Sequence, residues 1–261
     1  MVYLSNFVVN TIQKIVFIFL SVFQIYTLFY FMLIQNLGRI PVGDSGPIYQ
    51  ETILGRLPVE PFNTASNLLF LFVIIYWTIK IYPNFSTYRF LVYVLSTLFI
   101  GYVGGTIYHG TRSHEIWLLM DWVPIFILSV SAVVYFFKKL GIHWFIMLVL
   151  VLFPFVLMFS LDSIPSLPRP IKNLIEYSSL ALIILLPIFF YLRKTNWLFK
   201  GRIFVGLLLF CIAIFFRTLD DTEISNKYFP MGTHFLWHIF GALAVHALIS
   251  YLYLVKKIAV K

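Results

Sequence analysis

Hydrophobic stretches about as long as a bilayer is thick recur from one end of this chain to the other, at roughly 15–34, 63–82, 89–108, 116–137, 143–161, 173–192, 202–217 and 233–255. About 20 mainly apolar residues suffice to cross some 30 Å of hydrocarbon as a helix. The expected fold is therefore all-α, a polytopic transmembrane helical bundle with seven core helices and one additional N-terminal hydrophobic helix. With 61% of the 261 residues hydrophobic and 11% charged, no soluble domain of useful size is left over. The 15–34 stretch exceeds a normal signal-peptide core and is not followed by an A-x-A cleavage pattern. It reads as a retained helix, with residues 1–35 in front of a seven-helix domain over 36–261.

The net charge of +9 is a topology signal. Lys80, Arg89, Lys138, Lys139, Arg193, Lys194, Lys200, Arg202, Lys256, Lys257 and Lys261 fall in alternate loops and at the C-terminus, with no acid among them. The opposite loops hold Arg39, Arg56, Arg112, Arg169, Lys172, Arg217 and Lys227, mixed with nearly all the carboxylates. The positive-inside rule then places the first set, and the C-terminus, in the cytoplasm. Nucleic acid is not expected as a partner, and the bilayer is. Cys211, the only cysteine, has no intrachain disulfide partner. The sequon at Asn84 falls in an expected cytoplasmic loop, where it would stay unglycosylated.

Two outer loops are irregular: 35–62, rich in Gly and Pro, and 162–170, stiffened by three prolines. Pro154 and Pro187 lie inside spans, where neighbouring helices can satisfy the freed carbonyls.

Ionisable groups inside spans are costly, so they normally face the bundle interior and mark a site. Here they are few: His109 at the end of the 89–108 stretch, Asp121 near the start of the next, and His234, His238 and His246 in the last. Alternating helix direction puts His109, Asp121, His234 and His238 at one depth, near the outer face. His234 and His238 are four apart, so they project from one helix face. A third imidazole at that depth completes the three-ligand set of a catalytic zinc with one open position, and Asp121 would hydrogen-bond a water held there. A plainer reading remains open at this stage. Histidines near headgroups can bond backbone, water or lipid phosphate, and Asp121 could cap a helix or pair with Arg112. His246, two turns deeper, reads as a hydrogen-bonded packing residue, and His114 and His143 as solvated loop residues.

The segments carrying these residues resemble the alkaline ceramidase family, within the seven-helix membrane proteins that include the adiponectin receptors. "EPFNTASNLLF" (60–70) is similar to the opening of that family's first core helix, "GGTIYHGT" and "LLMDWVPI" to its second and third, and "FRTLDD" with "GTHFLWH" to the ending of bacterial members. The likeness covers roughly 44–255, with the middle helices matching only in hydropathy. It implies a zinc-dependent amide hydrolase in which His109, His234 and His238 hold Zn²⁺ and Asp121 handles the proton of the attacking water. The implied substrate is a ceramide or related N-acyl lipid, cleaved to a fatty acid and a long-chain base. Two departures stand out. Gly105 occupies the place of a serine one turn before the first histidine, with Thr106 as a candidate substitute, and the His109 to Asp121 interval is one residue longer than in animal members. Those members also bind calcium through acids ahead of the first core helix, which makes Glu60, with Asp44 and Glu51 nearby, a calcium option. Alternatively Glu60, Asn63, Asn67, Arg217 and Asp220 form a polar network bracing the outer ends of the first and sixth core helices. Two rival functions are a lipid-binding receptor with a structural zinc site, and a proton or solute pathway using His246 and Asp121. Headgroup, acyl length and oligomeric state are not encoded in these patterns.

Overall fold

The computed structural model describes residues 42–259 apart from 165, 167, 168 and 221; the expected N-terminal helix lies outside the described residues. Among the described residues seven long helices occupy the remaining expected spans: α1 (Pro61–Ile81), α2 (Arg89–Thr111), α3 (Glu115–Leu140), α4 (Trp144–Asp162), α5 (Arg169–Lys194), α6 (Lys200–Leu219) and α8 (His234–Ala259). A short helix, α7 (Glu223–Tyr228), precedes α8 and lies in a stretch with no apolar pattern to announce it. Five of the long helices are long and apolar enough to cross a membrane. Large side chains such as Phe72, Val156, Leu182, Leu208 and Phe215 face outward. In water such a surface would be an aggregation hazard, whereas in lipid it costs nothing. The chain is a multi-pass helical membrane protein.

The helix ends are set by capping groups that hydropathy does not register. At α1, Pro61 takes the first helical position, and the Glu51 carboxylate accepts from the backbone N–H of Phe62 and Asn63, both at 2.7 Å. The exposed loop residues His114 and His143 accept from Ile116 N–H and Phe145 N–H and so begin α3 and α4. Thr222 does the same for α7. Gly141 closes α3 at φ 84°, a left-handed conformation that suits a residue without a Cβ. Pro124, Pro154 and Pro187 lie within α3, α4 and α5.

Packing starts from α1, which lies against both α2 and α8. Leu71, Trp77, Ile81, Leu91, Leu95, Tyr102, Ala242 and Ile249 form the buried seam between them. On the outer side of α8 runs α6; on the outer side of α2 runs α3, followed by α5 and α4. The α2–α3 approach is close because Gly104 leaves room for it: a Cβ there would lie 2.3 Å from that of Met120. A second cluster, Phe136, Ile188, Tyr191, Leu192, Ile203 and Tyr251, ties α3, α5, α6 and α8 together at the end where α3 and α8 finish. At the opposite end, where α8 begins, α3 and α6 flank a cavity.

Candidate metal centre

His109 lies in the last turn of α2, His234 is the first residue of α8, and His238 follows one turn later. Their ring centroids are 5.3, 4.9 and 4.7 Å apart, and one ligand nitrogen from each lies within 4.8 Å of the others. All three are buried. Nitrogens on a tetrahedral zinc with bonds near 2.1 Å sit about 3.4 Å apart, so closing on an ion requires side-chain shifts of about 1 Å.

The tautomers follow from the neighbours. The His109 Nδ1–H donates to Glu60 Oε2 at 2.6 Å, and its Nε2 is buried with no partner. His238 Nδ1 lies 3.1 Å from the Asn63 carbonyl, which can only accept, so this nitrogen is also protonated; Ser66 Oγ sits 3.0 Å away. In the neutral form each ring then keeps its Nε2 free of a proton, the state a metal ligand needs, with its other nitrogen held by an outer partner. His234 differs. Its Nδ1 lies 2.9 Å from Arg217 Nη1, and a guanidinium only donates, so the ring proton sits on the partnerless Nε2. Placing a metal on that nitrogen requires moving the proton and releasing Arg217.

Behind His109 stands a buried ionic chain. Arg112 ends α2 in a left-handed conformation, φ 49°, which turns its side chain back toward the loop ahead of α1. It donates to Asp44 in bidentate fashion at 2.9 and 2.6 Å, to Glu60 Oε1, and to the carbonyls of Pro47 and Gly46. Its guanidinium also lies 4.7 Å from the Tyr108 ring centroid. Burial alone would raise the Glu60 carboxyl, but the bonds from His109, Arg112 and Thr52 outweigh it and hold the group below its ordinary value. Asp44 is likewise lowered: burial opposes, and Arg112 with the Gly46 N–H prevails. Glu51 is raised, since burial exceeds the effect of the two N–H groups it caps. The oxygens offered as a calcium option therefore serve a guanidinium and a helix N-terminus. Calcium wants six to eight oxygens, and here Arg112 already occupies the point on which Asp44 and Glu60 converge.

Asp121 sits in the second turn of α3, and neither of its plainer roles is realised. His114 caps the helix, and Arg112 pairs with Asp44 and Glu60. The carboxylate lies instead against Gly105: a Cβ on that glycine would be 2.2 Å from Asp121 Oδ1 and 2.7 Å from Asn67 Nδ2. Glycine at this position leaves to Asp121 the space a side chain would fill. Thr106 donates its hydroxyl to the Tyr102 carbonyl at 2.7 Å and accepts from Asn67 Nδ2 at 3.2 Å, bonds that brace the α1–α2 seam.

The expected single network between the first and sixth core helices is divided into separate groups. Glu60, Asn63 and Asn67 bond within α1 and to α2 and α8. Arg217 bonds His234, and Asp220 accepts from Thr233 N–H at 2.8 Å just ahead of α8. Helix order explains the division, because α8 lies between α1 and α6. His246 accepts from Trp77 Nε1 at 3.2 Å, the packing role expected of it.

A cavity of about 450 Å³ adjoins the cluster at His234. Asp121, Arg217, His234 and Tyr49 give it polar lining, and Leu118, Trp122, Ile125, Phe126 and Trp237 give it apolar lining. Tyr49, from the loop ahead of α1, stacks on His234 at 4.2 Å and leans against His109 at 5.6 Å. A lone tyrosine in a Gly/Pro-rich loop carries no sequence signal for such a place. Arg112 and Ser66 were equally silent as supports of the histidines.

Fold and site together define a polytopic helical membrane protein with a buried three-histidine cluster, able by geometry to hold a metal ion. Comparison with known proteins finds no matching family model and no matching curated sequence.

Proposed function

We propose that this chain is a zinc-dependent hydrolase of membrane lipid amides, acting on an N-acyl lipid of the ceramide class. The observation that carries the proposal is the meeting of His109, His234 and His238 with Asp121 and a part-apolar cavity at one end of a membrane bundle. His109, His234 and His238 would hold the ion; neutral imidazoles suit zinc better than magnesium or calcium. When bound, zinc supplies Lewis acidity, activating water and polarising the amide carbonyl. The chain's own groups do the rest. Glu60 and Asn63 keep the Nδ1 protons of His109 and His238 in place. Trp122, Ile125 and Phe126 bear on the acyl chain and exclude water. Asp121 accepts a proton as water oxygen adds to the amide carbon, then returns it to the nitrogen as the C–N bond breaks, leaving a carboxylic acid and an amine. In this reading the C-terminus is cytoplasmic and the site lies near the extracytoplasmic face, as the distribution of basic residues supports.

A second reading, a lipid-binding receptor with a structural zinc, draws support from the absent serine at Gly105. Metal analysis of purified protein, with turnover of an N-acyl lipid panel by wild type and His238→Ala, separates the two. The hydrolase reading expects about one zinc per chain, and loss of both metal and product in the variant. Full zinc with no product from any lipid favours the receptor. Unchanged metal and turnover in His238→Ala would refute both.

A further inference from the structure

At the end of the bundle away from the histidines lies a second cavity, of about 360 Å³. Three cations from three helices line it: Arg89 from the first turn of α2, Lys139 from the last turn of α3 and Lys256 from the last turn of α8. Ser86 and Thr87 add hydroxyls, and Leu252 an apolar wall. Among the described residues none of the three cations forms an ion pair; Lys139 lies 5.7 Å from the Tyr135 ring centroid. Among the described residues no side-chain carboxylate lines the cavity. In the sequence all ten Asp and Glu fall within 44–60, 115–121, 162–176 and 220–223, apart from the stretches that line the cavity. Three like charges held around one concavity repel each other unless an anion enters from outside. The apolar outer faces of these helices make lipid the neighbouring phase, and basic pockets between helix ends are where anionic headgroups bind.

We propose that Arg89, Lys139 and Lys256 form a binding site for the phosphate of an anionic phospholipid, with Ser86 and Thr87 as hydrogen-bond donors and an acyl chain running along Leu252. The site is separate from the histidine cluster and does not depend on what that cluster does. Each cation near a headgroup contributes roughly fivefold in affinity, so neutralising all three should weaken binding on the order of 100-fold.

The test is native mass spectrometry of the full chain with phosphatidylglycerol and with phosphatidylcholine of the same acyl chains. It uses wild type, the triple variant R89Q/K139Q/K256Q, and a control triple K138Q/K200Q/K257Q, which removes three exposed charges from the same end but outside the cavity. The proposal expects preferential phosphatidylglycerol binding, a loss of about 100-fold in the cavity triple, about fivefold in K256Q alone, and little change in the control. Equal binding of the two lipids, or equal losses in the two triples, would overturn it in favour of diffuse attraction to a basic surface. Displacement of phosphatidylglycerol by millimolar inorganic phosphate would assign the cations to free phosphate and overturn the lipid reading. Unfolding midpoints in lipid-free detergent, expected to be alike for all variants, show that losses are not failures to fold.

Discussion

Arg112→Met tests whether the ionic chain behind His109 holds the site together. Arg112, Asp44 and Glu60 have fully buried side chains. Methionine keeps much of the arginine's length but withdraws the charge and the bonds to Asp44, Glu60, Pro47 and Gly46. Two carboxylates are then left buried without a counter-charge, a loss that typically costs about 3–5 kcal/mol. The lower end, about 3 kcal/mol, is expected here because the loop bearing Asp44 can relax toward water. Much of that cost belongs to the stranded acids, so Asp44→Asn added to Arg112→Met should restore about 1 kcal/mol or more. The pH dependence has a definite sign. Asp44 is lowered in the folded state, so its contribution is fully present above the ordinary carboxylate value near 3.9 and disappears as pH falls through the lower folded value. Arg112→Met should flatten that acid limb. Chemical unfolding in detergent between about pH 3 and 7, with zinc content measured alongside, provides the assay. If Arg112→Met unfolds within about 0.5 kcal/mol of wild type, or the double variant is less stable than the single, this account of the network is wrong.

Glu60→Gln keeps an acceptor for the His109 Nδ1–H but removes its charge, and zinc affinity in chelator competition should fall by about 10–100-fold. Arg217→Gln should act in the opposite direction, raising zinc affinity about tenfold, because the ion no longer competes with a guanidinium for His234; a loss of affinity would contradict the tautomer assigned to that ring. Gly105→Ser pushes a Cβ and hydroxyl against Asp121 and Asn67, so a destabilisation of about 1–3 kcal/mol is expected in thermal unfolding. An unchanged midpoint would mean that Asp121 has room to move aside.

Hydropathy located every described long helix because lipid imposes the apolar length directly on the sequence. It could not locate α7, whose segment Glu223–Tyr228 is polar and short. Nor could it register the caps, since His114 and His143 look like any loop histidine until the N–H groups they serve are in place. The histidines were legible for the opposite reason: an imidazole among apolar residues is conspicuous, and helix alternation alone brings distant ones to one depth. Their supports were not. Arg112 looked like an outer-loop charge, and Tyr49 like part of an irregular connection. Only the left-handed turn after Thr111 and the path of the 42–60 loop bring these groups to the site, and neither leaves a periodic trace. The polar pairing of α1 with α6 failed in the same way, since sequence separates helices without revealing that α8 stands between them.

All three imidazoles come from α2 and α8, helices that share α1 as a common support, whereas the apolar wall beside them is drawn largely from α3. Under the proposed reading the metal ligands and most of the apolar wall lie on different helices, and Asp121 is the one group by which α3 would also take part in the chemistry. Close packing of α2 on α3 at Gly104 and Gly105 keeps that wall in fixed register with the histidines. If the proposed hydrolase reading holds, substitutions at Trp122, Ile125 and Phe126 would alter which lipid is accepted while leaving the ligands on α2 and α8 in place.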